Sequence, residues 1–289
     1  MEIIDSHLHF SNINSFKEAA LNLSKVNYSS TGLKEEFEKN HIIMGIGMGL
    51  TEKQIGGFPD SNSHNPMDLD LEEKVPDNLV YCLGINPQKL NDEELSRIEE
   101  RIKNSKVVGL KIYPGYYPYY VWNKIYDPIY KLASSYKIPV VIHGGDPYSS
   151  KALVKYSHPI HIDELAVKHR NINFVIAHFG NPWIMSAAEV IYKNSNVYTD
   201  LSGLLVGNKN DIDGFKNDKY FIQHIQRGIT FIKVIPNWYE KFLFGTDWPL
   251  VPIKSYIELI KSLFDEKFYE YIFYKNALKV FPKLNTFFK

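Results

Sequence analysis

Asp5, His7 and His9 follow directly on Met1-Glu2-Ile3-Ile4, a segment that reads as the start of a buried strand. Side chains on a strand alternate between faces, so these three point the same way. Two imidazoles spaced like this can hold one metal ion together. The acidic Asp5 on the same face could fix a histidine tautomer from behind. Similar groups end four later apolar runs. Lys111 stands in Val108-Gly109-Leu110-Lys111-Ile112-Tyr113-Pro114, and His143 in Val140-Val141-Ile142-His143-Gly144-Gly145. His178 ends Val175-Ile176-Ala177-His178, and Asp247 lies in Phe244-Gly245-Thr246-Asp247-Trp248-Pro249. Imidazoles with a carboxylate suit Zn²⁺ or a similar divalent ion, if the fold brings them together.

The elements that would position them are eight short apolar runs, at 2–8, 41–48, 78–85, 107–113, 139–143, 173–178, 196–201 and 241–247. Several are apolar on both faces, as parallel strands buried on each side must be. Between them lie segments of helical spacing, at 92–103, 122–136, 162–169, 183–193, 221–234 and 255–264. Strand followed by helix, repeated around the chain, predicts an α/β fold, a (β/α)₈ TIM-type barrel forming a single domain over residues 1–289. An open doubly wound sheet is the alternative. It would more usually carry a glycine-rich phosphate turn after its first strand, where His-Leu-His stands here. Chemistry in such a barrel sits at the C-terminal strand ends. The connections after strands one, two, four and seven are longer than minimal, as a substrate-shaping mouth requires. That after strand two contains Gly56-Gly57-Phe58-Pro59 and Asn62-Ser63-His64-Asn65-Pro66.

The 289 residues are 44% hydrophobic, enough for a large core, and no linker divides them. Thirty-three basic and 33 acidic residues balance to a formal charge of zero. That argues against nucleic acid or an acidic membrane as partner and leaves a small-molecule substrate. A homo-oligomer stays open. The single cysteine, Cys82, cannot pair within the chain. With no visible secretory signal or apolar run long enough to span a membrane, this points to a reducing, cytoplasmic setting.

The Asp-Ser-His-Leu-His opening, the two His-Gly or His-Phe-Gly strand ends and Gly-Thr-Asp-Trp-Pro occur in an order and spacing that resemble the amidohydrolase superfamily. The branch they look most like contains aminocarboxymuconate-semialdehyde decarboxylase and related metal-dependent hydrolases. The resemblance covers nearly the whole chain. It implies His7, His9 and His143 as metal ligands and Asp247 as a ligand that also handles protons. It implies His178 as an acid/base group beside one metal or as a ligand to a second, so one or two ions per chain, zinc first among them. A divalent ion lowers the pKa of bound water from ~16 to about 7. Asp247 could accept that proton and later deliver it. His178 could stabilise an oxyanion or shuttle a proton.

Lys111 has three readings: a carbamate bridging two metals, an ammonium that binds a substrate carboxylate, or a structural lysine. The Tyr-rich segment Gly115-Tyr116-Tyr117-Pro118-Tyr119-Tyr120 should overhang the mouth. Tyr113, Tyr116 and Trp183 are the expected substrate contacts. Asp200 could hydrogen-bond a ligand histidine or serve the turn. The remaining histidines lack a strand-end context. The leading expectation is hydrolysis of a small amide, lactone or ester through a metal-activated water, with Asp247, His178 and Lys111 catalytic. The alternative is decarboxylation or hydration of a small unsaturated or aromatic carboxylic acid. A binding barrel without turnover is the alternative of another class. Metal phosphoesterases of barrel fold also open on His-x-His, but the Thr-Asp-Trp-Pro ending fits them less well.

Overall fold

The computed structural model describes residues 1–50 and 75–288. The two loop motifs of segment 49–77, with His64, lie outside the described residues. Eight strands, β1 (Ile3–Leu8), β2 (Ile42–Met48), β3 (Leu79–Gly84), β4 (Val107–Ile112), β5 (Val140–Ile142), β6 (Phe174–Ile176), β7 (Val197–Asp200) and β8 (Phe242–Leu243), pair in sequence order, each parallel to the next. The circle closes where residues 244–248 run beside β1. Ser6 N–H donates to Phe244 O at 2.9 Å, Asp247 N–H to His7 O at 2.8 Å and His9 N–H to Trp248 O at 2.7 Å. The result is the expected eight-stranded barrel.

Alternation along the strands separates two cores. Leu110, Ile112, Val140, Ile142, Phe174 and Ile176 face outward and pack against helix residues such as Ile129, Leu165, Ala187 and Ile229. Ile4, Met44, Ile46, Val80, Cys82, Val108, Val141, Val175 and Leu243 fill the barrel interior. Ala277, Val280, Phe281 and Leu284, from the C-terminal turns of the chain, belong to that interior cluster. The interior is apolar, and the polar side chains gather at the C-terminal strand ends.

Local irregularities change three details. The β3–β4 register shifts beside Tyr81, so Val107 joins the outer core and Val108 the inner one. Lys111 therefore does not share a face with Val107, as strict alternation implies. The long connection after β1 is largely helical, with helices Asn14–Ala19 and Ser30–Asn40. Ser29 caps the second by accepting from Gly32 N. The segment 122–136 becomes helical in the α sense only at Asp127–Tyr136, where Pro128 suits the first turn because its missing N–H has no partner there anyway.

Candidate active site

The C-terminal strand ends open into a cavity of about 620 Å³, lined by His7, His9, Lys111, His143, His178 and Asp247 together. Tyr113 and Tyr116 line it too. So do Ile13, Phe16 and Tyr148, which sequence reasoning did not single out. Phe16 could have been anticipated only as an aromatic in the long first connection. Trp183 is placed elsewhere. It packs against His158, ring centroids 4.9 Å apart, and is not among the lining residues. The chain after β6 passes through two left-handed residues, His178 (φ 61°) and Phe179 (φ 48°), so that Asn181 reaches the cavity instead.

Asp200, at the end of β7, organises the histidines. Its Oδ2 lies 2.8 Å from His7 Nδ1. Its Oδ1 accepts from His178 N–H at 2.9 Å, Ser202 N–H at 3.1 Å and the Ser202 hydroxyl at 2.5 Å. Asp5 does not fix a histidine tautomer. Its oxygens accept from Thr246 N–H (3.0 Å), the Thr246 hydroxyl (2.6 Å) and the His7 backbone N–H (3.2 Å). The β1–β2 register is irregular between Asp5 and Leu8, so the two acidic residues split the work. Asp5 braces the backbone next to Asp247, and Asp200 orients His7.

Asp247 is the centre of the polar cluster. Its Oδ1 lies 3.0 Å from His9 Nε2 and 3.7 Å from His7 Nε2, and its Oδ2 lies 4.0 Å from His178 Nδ1. Its backbone is left-handed (φ 63°), a conformation that costs energy for a non-glycine residue and is characteristic of functional positions. Neighbouring imidazoles, His178 foremost, hold its carboxyl far below the usual carboxylate range despite burial. Burial pushes the histidines the other way. His178 is lowered to about 4, and His143 well below its ordinary value. The rings are therefore neutral at pH 7 and carry lone pairs.

These features fit a divalent cation. His7 Nε2 and His143 Nε2 are buried and hydrogen-bond to nothing among the described residues. Asp247 Oδ1 makes no well-directed hydrogen bond either, although His9 Nε2 approaches it closely. Neutral imidazole nitrogens and an ionised carboxylate oxygen left without donors are ligands awaiting a cation. The potential ligand atoms of His7, His9 and Asp247 lie within 4.8 Å of one another. His143 faces the same cavity outside that set, its ring 5.1 Å from that of His178. A second grouping, His7, His178 and Asp200, is equally compact, but its carboxylate is already taken by four donors. We read it as a hydrogen-bond network.

Lys111 is fully buried, and its Nζ has no hydrogen-bond partner among the described residues. It lies 5.2 Å from the centroid of the Tyr113 ring. Loss of hydration lowers its amine to about 8, with Asp200 and Asp247 opposing the fall.

A protein-family model described as Amidohydrolase matches residues 4–283. A search of the curated proteins found no match. Among solved structures, 2,6-dihydroxybenzoate decarboxylase from Rhizobium is 16% identical, with 99% of each chain covered and a TM-score of 0.67. A 5-carboxyvanillate decarboxylase from Novosphingobium aromaticivorans, complexed with manganese and 4-hydroxy-3-methoxy-5-nitrobenzoic acid, is 13% identical. It covers 97% of this chain and 96% of its own, at a TM-score of 0.65. A probable 2-pyrone-4,6-dicarboxylic acid hydrolase from Acinetobacter baumannii, with citric acid bound, is 15% identical. It covers 98% of this chain and all of its own, at a TM-score of 0.64. At such identities these likenesses concern the fold.

Proposed function

The chain belongs to the amidohydrolase family, and from that premise we propose that it is a metal-dependent decarboxylase of a small aromatic carboxylic acid. The observation that carries this reading is Lys111, a buried amine facing the cavity with no hydrogen-bonding anion of its own. A substrate carboxylate would supply that anion. Phe16, Tyr113, Tyr116 and Tyr148 wall the same cavity and suit the faces and edges of an aromatic ring. Two of the similar solved structures are named as decarboxylases of hydroxylated benzoic acids, which supports the same chemistry.

His7, His9 and Asp247 would hold the cation, and His143, on the same cavity, would complete the set. Manganese, present in one similar structure, and zinc both suit imidazole and carboxylate donors. The bound ion supplies Lewis acidity toward substrate oxygens. Lys111 binds and orients the carboxylate, and the aromatic walls exclude water. Decarboxylation needs a proton placed on the ring carbon as CO₂ departs with the C–C bond broken and its electron pair left on the ring. Asp247 is ionised, so any proton it delivers must first come from the substrate hydroxyl. We take the centre to hold one cation, a reading supported by the Asp200 carboxylate being already hydrogen-bonded.

Hydrolysis is the second reading. The close Asp247–His9 pair could accept a proton from water, and one similar structure is a probable hydrolase. The test is to load the purified protein with Mn²⁺ or Zn²⁺ and offer hydroxybenzoates beside lactones, esters and amides. Release of CO₂ from a hydroxybenzoate is expected. Turnover of a lactone, ester or amide with no CO₂ from any acid would replace the decarboxylase reading with hydrolysis.

A further inference from the structure

The two hydrogen-bond neighbours of His178 Nδ1 have a property that the proposed chemistry does not use. One is the Ser202 carbonyl oxygen, at 3.3 Å, and the other the Ser202 hydroxyl oxygen, at 2.9 Å. A carbonyl can only accept. A hydroxyl has one hydrogen, and that of Ser202 goes to Asp200 Oδ1, 2.5 Å away. Toward His178 the hydroxyl oxygen can therefore only accept as well. Both neighbours require a hydrogen on Nδ1.

We propose that Ser202 is a positioning residue that keeps the His178 ring proton on Nδ1, so that only Nε2 can bind or exchange a proton with an occupant of the cavity. Three further features support this. Asp200 has no donor capacity of its own as a carboxylate, and the Ser202 backbone N–H, at 3.1 Å, holds its Oδ1 in place. The next residue, Gly203, presses the backbone against the ring, and a Cβ there would stand 2.5 Å from Nδ1. An occupant approaching Nδ1 from that direction would meet the Gly203 backbone. Finally, Asp200 treats the other histidine of the pair alike: its Oδ2 accepts from His7 Nδ1 at 2.8 Å. One carboxylate thus fixes two rings, His7 directly and His178 through a single hydroxyl, and both are left with Nε2 as the reactive nitrogen. The tautomer assignment is independent of the reaction. The rate effect below rests on the decarboxylase reading or on whatever turnover replaces it.

The direct test is nitrogen-15 NMR of the histidine rings in the metal-free protein, at alkaline pH where the ring is neutral. The His178 signals are assigned by their loss in His178→Gln. The expected result is a proton on Nδ1 in the native protein, and a shift of population toward Nε2–H in Ser202→Ala. A native His178 protonated on Nε2, or a Ser202→Ala spectrum identical to the native one, would overturn the proposal. Neither depends on a substrate, so failure of the decarboxylase reading is seen separately. With an active substrate, Ser202→Ala should lower kcat about 10- to 100-fold with little change in KM, the usual effect of removing a partner that orients a reacting histidine. Ser202→Thr, which keeps the hydroxyl, should restore both the spectrum and most of the rate. Should Ser202→Thr match Ser202→Ala in both, the hydroxyl is not the positioning group.

Discussion

Gly203 occupies a point where any side chain would collide with two reacting groups. A Cβ would lie 2.5 Å from His178 Nδ1 and 2.9 Å from Asp247 Oδ2, on a backbone with φ of +57°. Gly203→Ala should therefore cost about 1–2 kcal/mol in stability from the left-handed backbone alone. Displacing His178 by even an ångström should lower kcat by about 10²-fold. Denaturant titration and steady-state kinetics read the two effects apart, and native kcat in the variant would show that the cluster tolerates the shift. His9→Ala removes one of the three clustered ligands. It should lose bound metal while keeping the fold, as metal analysis beside circular dichroism would show; full metal occupancy would remove His9 from the centre. At this scale the sequence was informative wherever strand periodicity holds. His7, His9, His143, His178 and Asp247 reach one cavity because each lies at or just beyond the C-terminal end of a strand of the same barrel. Asp5 and Trp183 escaped that logic, since a register slip in one case and two left-handed residues in the other break the alternation. Ser202 was within reach of it. Asp200-Leu201-Ser202 places the two polar residues on one face, but nothing in the sequence marks the histidine they serve.

The strands depend on side chains at the end of the barrel away from the cavity. Lys283 donates to the carbonyls of Ile102, Asn104 and Val107, where the chain enters β4. Lys241 does the same for Asn194, Ser195 and Val197 at the start of β7. Each ammonium bridges three carbonyls, of which Asn104 O and Asn194 O also accept from Val107 N–H and Val197 N–H. Lys283→Met keeps the aliphatic stem and removes the donors, so the carbonyls at the β4 entrance lose their charged partner. The expected cost is about 1–3 kcal/mol, seen as a lower denaturation midpoint. Metal affinity should not change, because Lys283 is separated from the cluster by the apolar interior. A weaker metal affinity in this variant would mean that β4 transmits strain from one end to the other. Sequence periodicity located seven of the eight strands to within a residue or two but gave no hint of these lysine clasps. Their partners come together only when the barrel closes. The two-residue length of β8 was equally hidden, because residues 244–248 continue beside β1 through irregular pairing rather than a regular ladder.

A net charge of zero conceals how unevenly the whole molecule distributes its ionised groups. Eight apolar strands and their outer helices isolate one polar cluster from water, which is why the alternation of strand and helix was enough to read the barrel from the sequence. The cluster's energetic cost was not readable, because it depends on burial. Lys111 makes that cost measurable. Its amine falls from 10.5 in the unfolded chain to about 8 in the folded one, chiefly through loss of hydration. Between those values the unfolded chain binds the extra proton, so the contribution to stability rises with pH through that window. Below about pH 8 the buried ammonium costs its full amount, about 3 kcal/mol at 1.36 kcal/mol per pKa unit. Lys111→Met has similar length and no charge. In the metal-free protein it should be more stable than the native chain by up to about 3 kcal/mol at pH 7, and the gap should shrink as the pH approaches about 10. Lys241, whose amine burial also lowers to about 8, is common to both proteins and cancels in the difference. The same variant should bind an aromatic carboxylate more weakly, since the cation that would meet it is gone. Urea titrations of both proteins at the two pH values test the first expectation and carboxylate titrations the second. Equal stability at pH 7, with carboxylate affinity unchanged, would mean that Lys111 is neither a stability cost nor the anion-binding group.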